Sequence, residues 1–265
     1  MSSRNEVDLT LGKWLPNDTN QVSYLGSDMD ILHLRDFFDM HDGASFDRPD
    51  AFLRLKNEVL IIEHFQFDCY KQTASGSSFA KLDSELSKSF DSLHEHNGYL
   101  HCEIKASNSL EYYYVNACNS FQKHYEKIES YKRNLINKGF ANSNDTFIVC
   151  FIIDDTTKLG TMVEGTNGAE PVILVLYRRF LEFLQQYPCV DYILTSAWFL
   201  NSYYPWFYSQ ANHASYVNKQ IDYDQMQFMV HDTQVLFTSA EVDPKSIIGE
   251  DAANSQLVYA ERIEE

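Results

Sequence analysis

The chain has 265 residues, 44% hydrophobic, 22% charged and 14% aromatic, with 18 Phe, 17 Tyr and 3 Trp. That composition excludes a disordered chain, which lacks core-forming residues. Against 21 Lys and Arg stand 38 Asp and Glu, a net charge of −17, which excludes a broad basic surface for non-specific binding of nucleic acid or membrane but leaves room for a small local site.

No apolar run is long enough to cross a bilayer, and the polar start MSSRNEVDLT lacks the apolar stretch of a signal peptide. The five cysteines (Cys69, Cys102, Cys118, Cys150, Cys189) are odd in number, scattered and without a CxxC pair, which argues against a disulfide framework or a structural zinc site. A reduced, soluble, cytoplasmic protein is the expectation, as one domain over 1–240 with an acidic C-terminal tail over 241–265.

In chain order, Ile31, Leu34, Phe37 and Phe38 at helical spacing predict a helix over 28–41, capped by Ser27 or Asp28 and ended by Gly43. The period changes to two at DAFLRLK. With a polar break at Asn57-Glu58 and the β-branched run VLIIEHFQFD, it predicts a β-hairpin over 50–68 whose second strand is the more buried. A loop over 69–78, an amphipathic helix over 79–96 and a short strand over 99–106 follow. Residues 109–137 predict one long helix. TFIVCFII (146–153) predicts a buried strand ended by Asp154-Asp155, 173–187 a helix and 190–195 a strand. Residues 198–213 read as a Trp- and Tyr-rich connection holding Pro205, and 225–238 as a terminal hairpin. The aromatic residues of that connection (Trp198, Phe199, Tyr203, Tyr204, Trp206, Phe207, Tyr208) suit a core first, or in part an exposed base-stacking or partner surface. Mixed order of strands and helices predicts an α/β fold with a central mixed sheet flanked by helices.

The chemistry concentrates in FDRPDAFLRLKNEVLIIEHFQFD. Asp50 opens the first strand of the hairpin, and Glu63 lies thirteen residues on, deep in the second, after Val59, Leu60, Ile61 and Ile62. Across one tight turn, ladder geometry can bring the two carboxylates side by side. A carboxylate in an apolar strand is costly unless paired, protonated or bound to a cation, and two converging carboxylates suit a hard divalent ion. The plainer alternative is that both cap turns or pair with Arg48 or Arg54.

Pro49-Asp50, a hairpin and then Glu63 in an apolar strand resemble the PD-(D/E)xK nuclease-like superfamily, over about residues 28–155. The resemblance implies a restriction-endonuclease-like α/β core. It also implies a magnesium (or manganese) ion on Asp50 and Glu63, a lysine that positions the attacking water, and a nucleic-acid substrate. That lysine falls two residues after Glu63, where this chain has Phe65, a side chain that cannot donate to water. Lys127 or Lys123 of the next helix are its candidate replacements. Asp39 or Asp36 of the preceding helix match an additional acid. Lys56 and Arg54 share a face with Asp50 if that strand is regular, which makes Lys56 an accessory candidate; Gln66 and His64 are polar alternatives to the lysine, but they alternate onto the face opposite Glu63. Glu103-Ile104-Lys105 is a literal ExK, but too far along the chain from Asp50 to be the usual hairpin partner. Two functions follow: a magnesium-dependent nuclease-like phosphodiesterase, or a catalytically inactive scaffold kept as a binding or assembly module, with a protein partner or a second copy as its ligand.

The histidines His94, His96, His101 and His124 match no common zinc spacing. No phosphate-cradling glycine loop and no GxSxG motif occurs.

Overall fold

The computed structural model describes residues 22–39, 43–45, 49–73, 76–77, 99–105, 108–157, 160–166, 168–199, 202–229, 234–238 and 256–263. The helix expected over 79–96 and Arg48 lie outside them. The chain divides into two compact units, 1–67 with 117–227 and 68–116 with 228–265, which differs from the single unit expected over 1–240.

The first elements are β1 (Ser23–Tyr24) and α1 (Asp28–Asp39). Ser27 caps α1, its Oγ accepting the Met29 N–H at 3.2 Å. Gly43, expected to end this helix, opens a strand, β2 (Gly43–Ser45). The hairpin follows as β3 (Ala51–Leu55) and β4 (Glu58–Phe67). Its turn is Lys56-Asn57 rather than Asn57-Glu58, because Lys56 takes the left-handed backbone (φ 56°) and Glu58 already pairs with Leu55.

The segment expected as a loop over 69–78 buries Cys69 and Tyr70 and carries a small hairpin, β5 (Gln72–Thr73) with β6 (Gly76–Ser77). β7 (Tyr99–Lys105) comes next. The long helix is two: α2 (Leu110–Tyr125), capped by Ser109, and α3 (Ile128–Asn137). The break falls at Glu126-Lys127. There the Lys127 N–H turns to the His124 carbonyl three residues back, and Ser130 Oγ donates to the Lys127 carbonyl at 2.7 Å.

β8 (Thr146–Asp155) includes both aspartates expected to end it. A hairpin, β9 (Met162–Gly165) and β10 (Gly168–Pro171), precedes α4 (Arg178–Leu184), a shorter helix than 173–187 because Leu174–Leu176 forms a separate 3₁₀ turn. After β11 (Tyr192–Phe199), the aromatic connection is itself a strand, β12 (Ser202–Ser209), antiparallel to β11. Pro205 fits because, among the described residues, β1 pairs with β12 only at Trp206 and Phe207, which leaves the proline position at an edge. α5 (His213–Val217) and β13 (Phe228–Met229) lead to β14 (Gln234–Thr238) and β15 (Gln256–Ile263). β14 and β15 both pair with β7, so among the described residues β14 makes no hairpin with β13, and part of the expected tail is a strand.

In the first unit the sheet order is β1-β12-β11-β8-β4-β3-β2. β4, β8 and β11 are parallel, β3 runs antiparallel to both its neighbours, and β12 runs antiparallel to β11 but parallel to β1. The fold is thus α/β with a mixed central sheet. β4 is buried on both faces, which is why VLII reads as a continuous apolar run. On one face Leu60, Ile62, Cys150, Ile152 and Leu194 pack against Ile31, Leu34 and Phe37 of α1. On the other, Phe52, Val59 and Ile61 pack against Tyr131 and Leu135 of α3. Farther along that face Phe121 meets Phe65, Phe151 and Phe180 edge-on, with ring centroids 5.0–6.4 Å apart. Of the aromatic connection, Phe207 and Tyr208 are core residues and Trp206 is half-buried; the side chains of Trp198, Phe199, Tyr203 and Tyr204 lie outside the described ones.

In the second unit β7 is the centre strand of the antiparallel set β14-β7-β15. Asn116 ties the stretch after β4 together, its Nδ2 donating to the carbonyls of Asp68 (2.9 Å) and Tyr70 (2.8 Å). Among the described residues no helix is long and apolar enough to cross a membrane.

Candidate functional site

The register of the hairpin sets the geometry. Ala51 pairs with Ile62, so the next position on each strand places Asp50 against Glu63 at the open end. The Asp50 N–H points at Glu63 Oε2 (3.4 Å), and the His64 N–H donates to Asp50 Oδ2 at 2.8 Å. Burial pushes the Asp50 carboxyl above its ordinary range and the Glu63 charge adds to that, while the His64 N–H and the charges of His64 and His124 oppose it.

Glu63 is 5% exposed. Its Oε1 accepts the Tyr131 hydroxyl at 2.6 Å and lies 2.6 Å from His124 Nδ1. The donors come from the end of α2 and the first turns of α3, so the break between these helices brings both onto one carboxylate oxygen. Phe65, two residues along the same face of β4, stacks on the His124 ring with centroids 4.6 Å apart and planes 13° from parallel. It is a core side chain that presses the imidazole against Glu63.

The opposite face carries a second acid–histidine contact. His64 Nε2 lies 2.9 Å from Asp154 Oδ2, and Ser196 Oγ stands 3.4 Å from Asp154 Oδ1. As alternation requires, His64 and Gln66 point away from Glu63, and Gln66 is exposed beside Asp154 in register.

The other expected residues are not gathered here. Lys127 sits half-buried in the turn between α2 and α3, and among the described residues no hydrogen bond or ion pair joins its ammonium, or that of the exposed Lys123, to either carboxylate. Lys56 lies at the far end of the hairpin, roughly 20 Å of extended chain from Asp50; the turn has taken it out of the strand face. Asp36 and Asp39 are exposed on α1, which packs on the face opposite Glu63. Glu103 and Lys105 belong to β7 in the second unit.

Arg54 serves neither acid. It forks onto Asp145, Nη1 to Oδ2 at 2.7 Å and Nη2 to Oδ1 at 2.9 Å, and also donates to the Phe140 carbonyl at 3.0 Å. The Arg54 hydrogen bond, then the Asn142 N–H, holds the Asp145 carboxyl below its ordinary range. A carboxyl with a lower pKa folded than unfolded adds stability above its unfolded pKa and loses it as pH falls through the folded value. The gap in melting temperature between wild type and Asp145→Asn is therefore expected to hold steady down to about pH 4 and close below it. Circular-dichroism melts across pH measure this, and a gap that persists in acid would assign the effect to something other than the ion pair.

Magnesium asks for near-octahedral oxygens, usually one or two free carboxylates plus waters. Here Glu63 Oε1 is engaged by two protein donors, Glu63 Oε2 faces an N–H, and Asp50 Oδ2 accepts another. Among the described residues no group of three or more His, Cys, Asp or Glu is arranged to hold a metal ion. This donor set, as folded, fits hydrogen-bonding of the acids within the protein better than a cation cage. In the sequence, helical spacing marks Tyr131 only as a core position, and His124 stands out only as a candidate zinc ligand.

No protein family, curated protein or solved structure matches the chain. Fold and site together define an α/β protein with a mixed sheet and a buried Glu–His–Tyr cluster at the mouth of a hairpin.

Proposed function

We propose that the chain is a nuclease-like scaffold that binds or assembles rather than cleaves. One observation carries this reading: the Glu63 carboxylate is held by His124 and Tyr131, with Phe65 stacked over the imidazole where the resembled superfamily has its lysine. Protein donors compensate the buried charge, so the cluster joins β4 to α2 and α3 and needs no cation to be tolerated. The mixed sheet with helices on both faces supports reading the frame as the restriction-endonuclease-like core that the resemblance implies.

A second reading, a magnesium- or manganese-dependent phosphodiesterase acting on nucleic acid, is favoured by the meeting of Asp50 and Glu63. It would require Glu63 to exchange its protein donors for metal, and a base such as Lys127 to approach. The test is incubation of the full chain with single- and double-stranded DNA and RNA, with magnesium and with manganese. No cleavage above that of Glu63→Gln is expected. Metal-dependent cleavage that Glu63→Gln abolishes would replace the first reading with the second.

A further inference from the structure

The outer face of α1 is unlike the rest of the described surface. Among the described residues the exposed large hydrophobic side chains are Met29 (70%), Leu32 (47%) and Phe140 (40%), and two of the three lie one helical turn apart on α1. At 3.6 residues per turn, Asp28, Met29, Leu32, Asp36 and Asp39 fall on one stripe about 100° wide, and all five are exposed. The buried stripe of Ile31, Leu34 and Phe37 is on the other side. The outer stripe therefore has an apolar patch flanked by three acids; the helix's arginine, Arg35, falls about 20° beyond the stripe's edge and is half-buried. Asp28 accepts the Tyr24 hydroxyl, and among the described residues no cation pairs with Asp36 or Asp39.

Taking the binding-module reading as its basis, we infer that this face of α1 docks a cationic amphipathic segment of a partner protein. The sign of the charge selects the occupant. Three acids beside the patch, on a chain of net charge −17, repel nucleic acid and anionic membranes. A second copy presenting the same face would set acids against acids. A segment with apolar anchors and flanking Lys or Arg satisfies both parts of the stripe. Met29 suits this role because its unbranched, polarizable side chain adapts to different apolar anchors.

The test uses the full chain and two synthetic helical peptides, one of leucine and lysine and one of leucine and glutamate, with binding followed by fluorescence anisotropy. The lysine peptide is expected to bind and to shift the Met29 methyl resonance; the glutamate peptide is not. Met29→Ser with Leu32→Ser, both at exposed positions that folding tolerates, should weaken binding about tenfold. Glu164→Gln, an exposed acid elsewhere on the same unit, should change it by less than about twofold. Equal weakening by both variants, no weakening by either, or equal binding of the glutamate peptide would overturn the inference. Nucleic-acid cleavage is scored separately. A chain that cleaves yet binds the lysine peptide at α1 loses only the module reading, and one that neither cleaves nor binds it loses only the docking face.

Discussion

Replacing Glu63 with leucine is expected to lower the unfolding free energy by about 2–4 kcal/mol. Leucine fills similar space but accepts nothing. The buried Tyr131 hydroxyl and His124 Nδ1 both lose their partner on Glu63 Oε1, and the Asp50 N–H loses a weaker one. Tyr131→Phe removes one donor and leaves the carboxylate with His124, so it should cost only about 1 kcal/mol. On the leucine background the same change should cost almost nothing, because the bond it deletes is already gone. Urea unfolding of the four proteins, followed by circular dichroism, measures the cycle. The sign also separates the two functional readings. In a metal site without its metal, two neighbouring carboxylates repel, and deleting one raises stability. In a hydrogen-bonded cluster, deleting the acceptor strands its donors. A Glu63→Leu protein as stable as wild type, or more so, would overturn the structural role assigned to this residue.

Phe65→Lys restores the superfamily's motif lysine and is expected to destabilise the chain by roughly 3 kcal/mol without creating cleavage. Phe65 is 6% exposed and meets Phe121, Phe151 and His124 within ring-contact distance. A lysine there forfeits those contacts and brings an ammonium into an aromatic pocket. Cation–π attraction and the nearby Glu63 carboxylate offset part of the desolvation, but Glu63 reaches the new charge only by loosening its hold on His124 and Tyr131. Thermal melts read the stability change, and the nucleic-acid assay with magnesium reads the chemistry. Unchanged stability together with new cleavage would mean that the frame stands one substitution from catalysis, contrary to the non-catalytic reading.

The hairpin was legible because two local signals agree. Period-two alternation in AFLRL and the unbroken apolar run of β4 assign the strands, and a short turn between them leaves little freedom in register. Asp50 and Glu63 follow from that register alone. The one-residue error in the turn came from Lys56, an ordinary residue in a left-handed conformation that favours Gly, Asn or Asp. The break between α2 and α3 left no trace in the periodicity, since Tyr125, Ile128 and Tyr131 continue the spacing of threes and fours across it. β12 was hidden by Pro205, which reads as a breaker until the neighbouring strand is known to stop short of it.

Local pattern by itself determined the α/β class, the buried centre of the sheet and the nearness of the two acids, because each of these rests on residues a few positions apart. The meaning of Glu63 was decided by tertiary structure. His124 and Tyr131 lie 61 and 68 residues beyond it, and they reach one oxygen only because the chain turns at Glu126-Lys127 and lays α3 against β4. A buried carboxylate takes its chemistry from what faces it, and those neighbours are chosen by packing between distant segments rather than by the spacing around the acid.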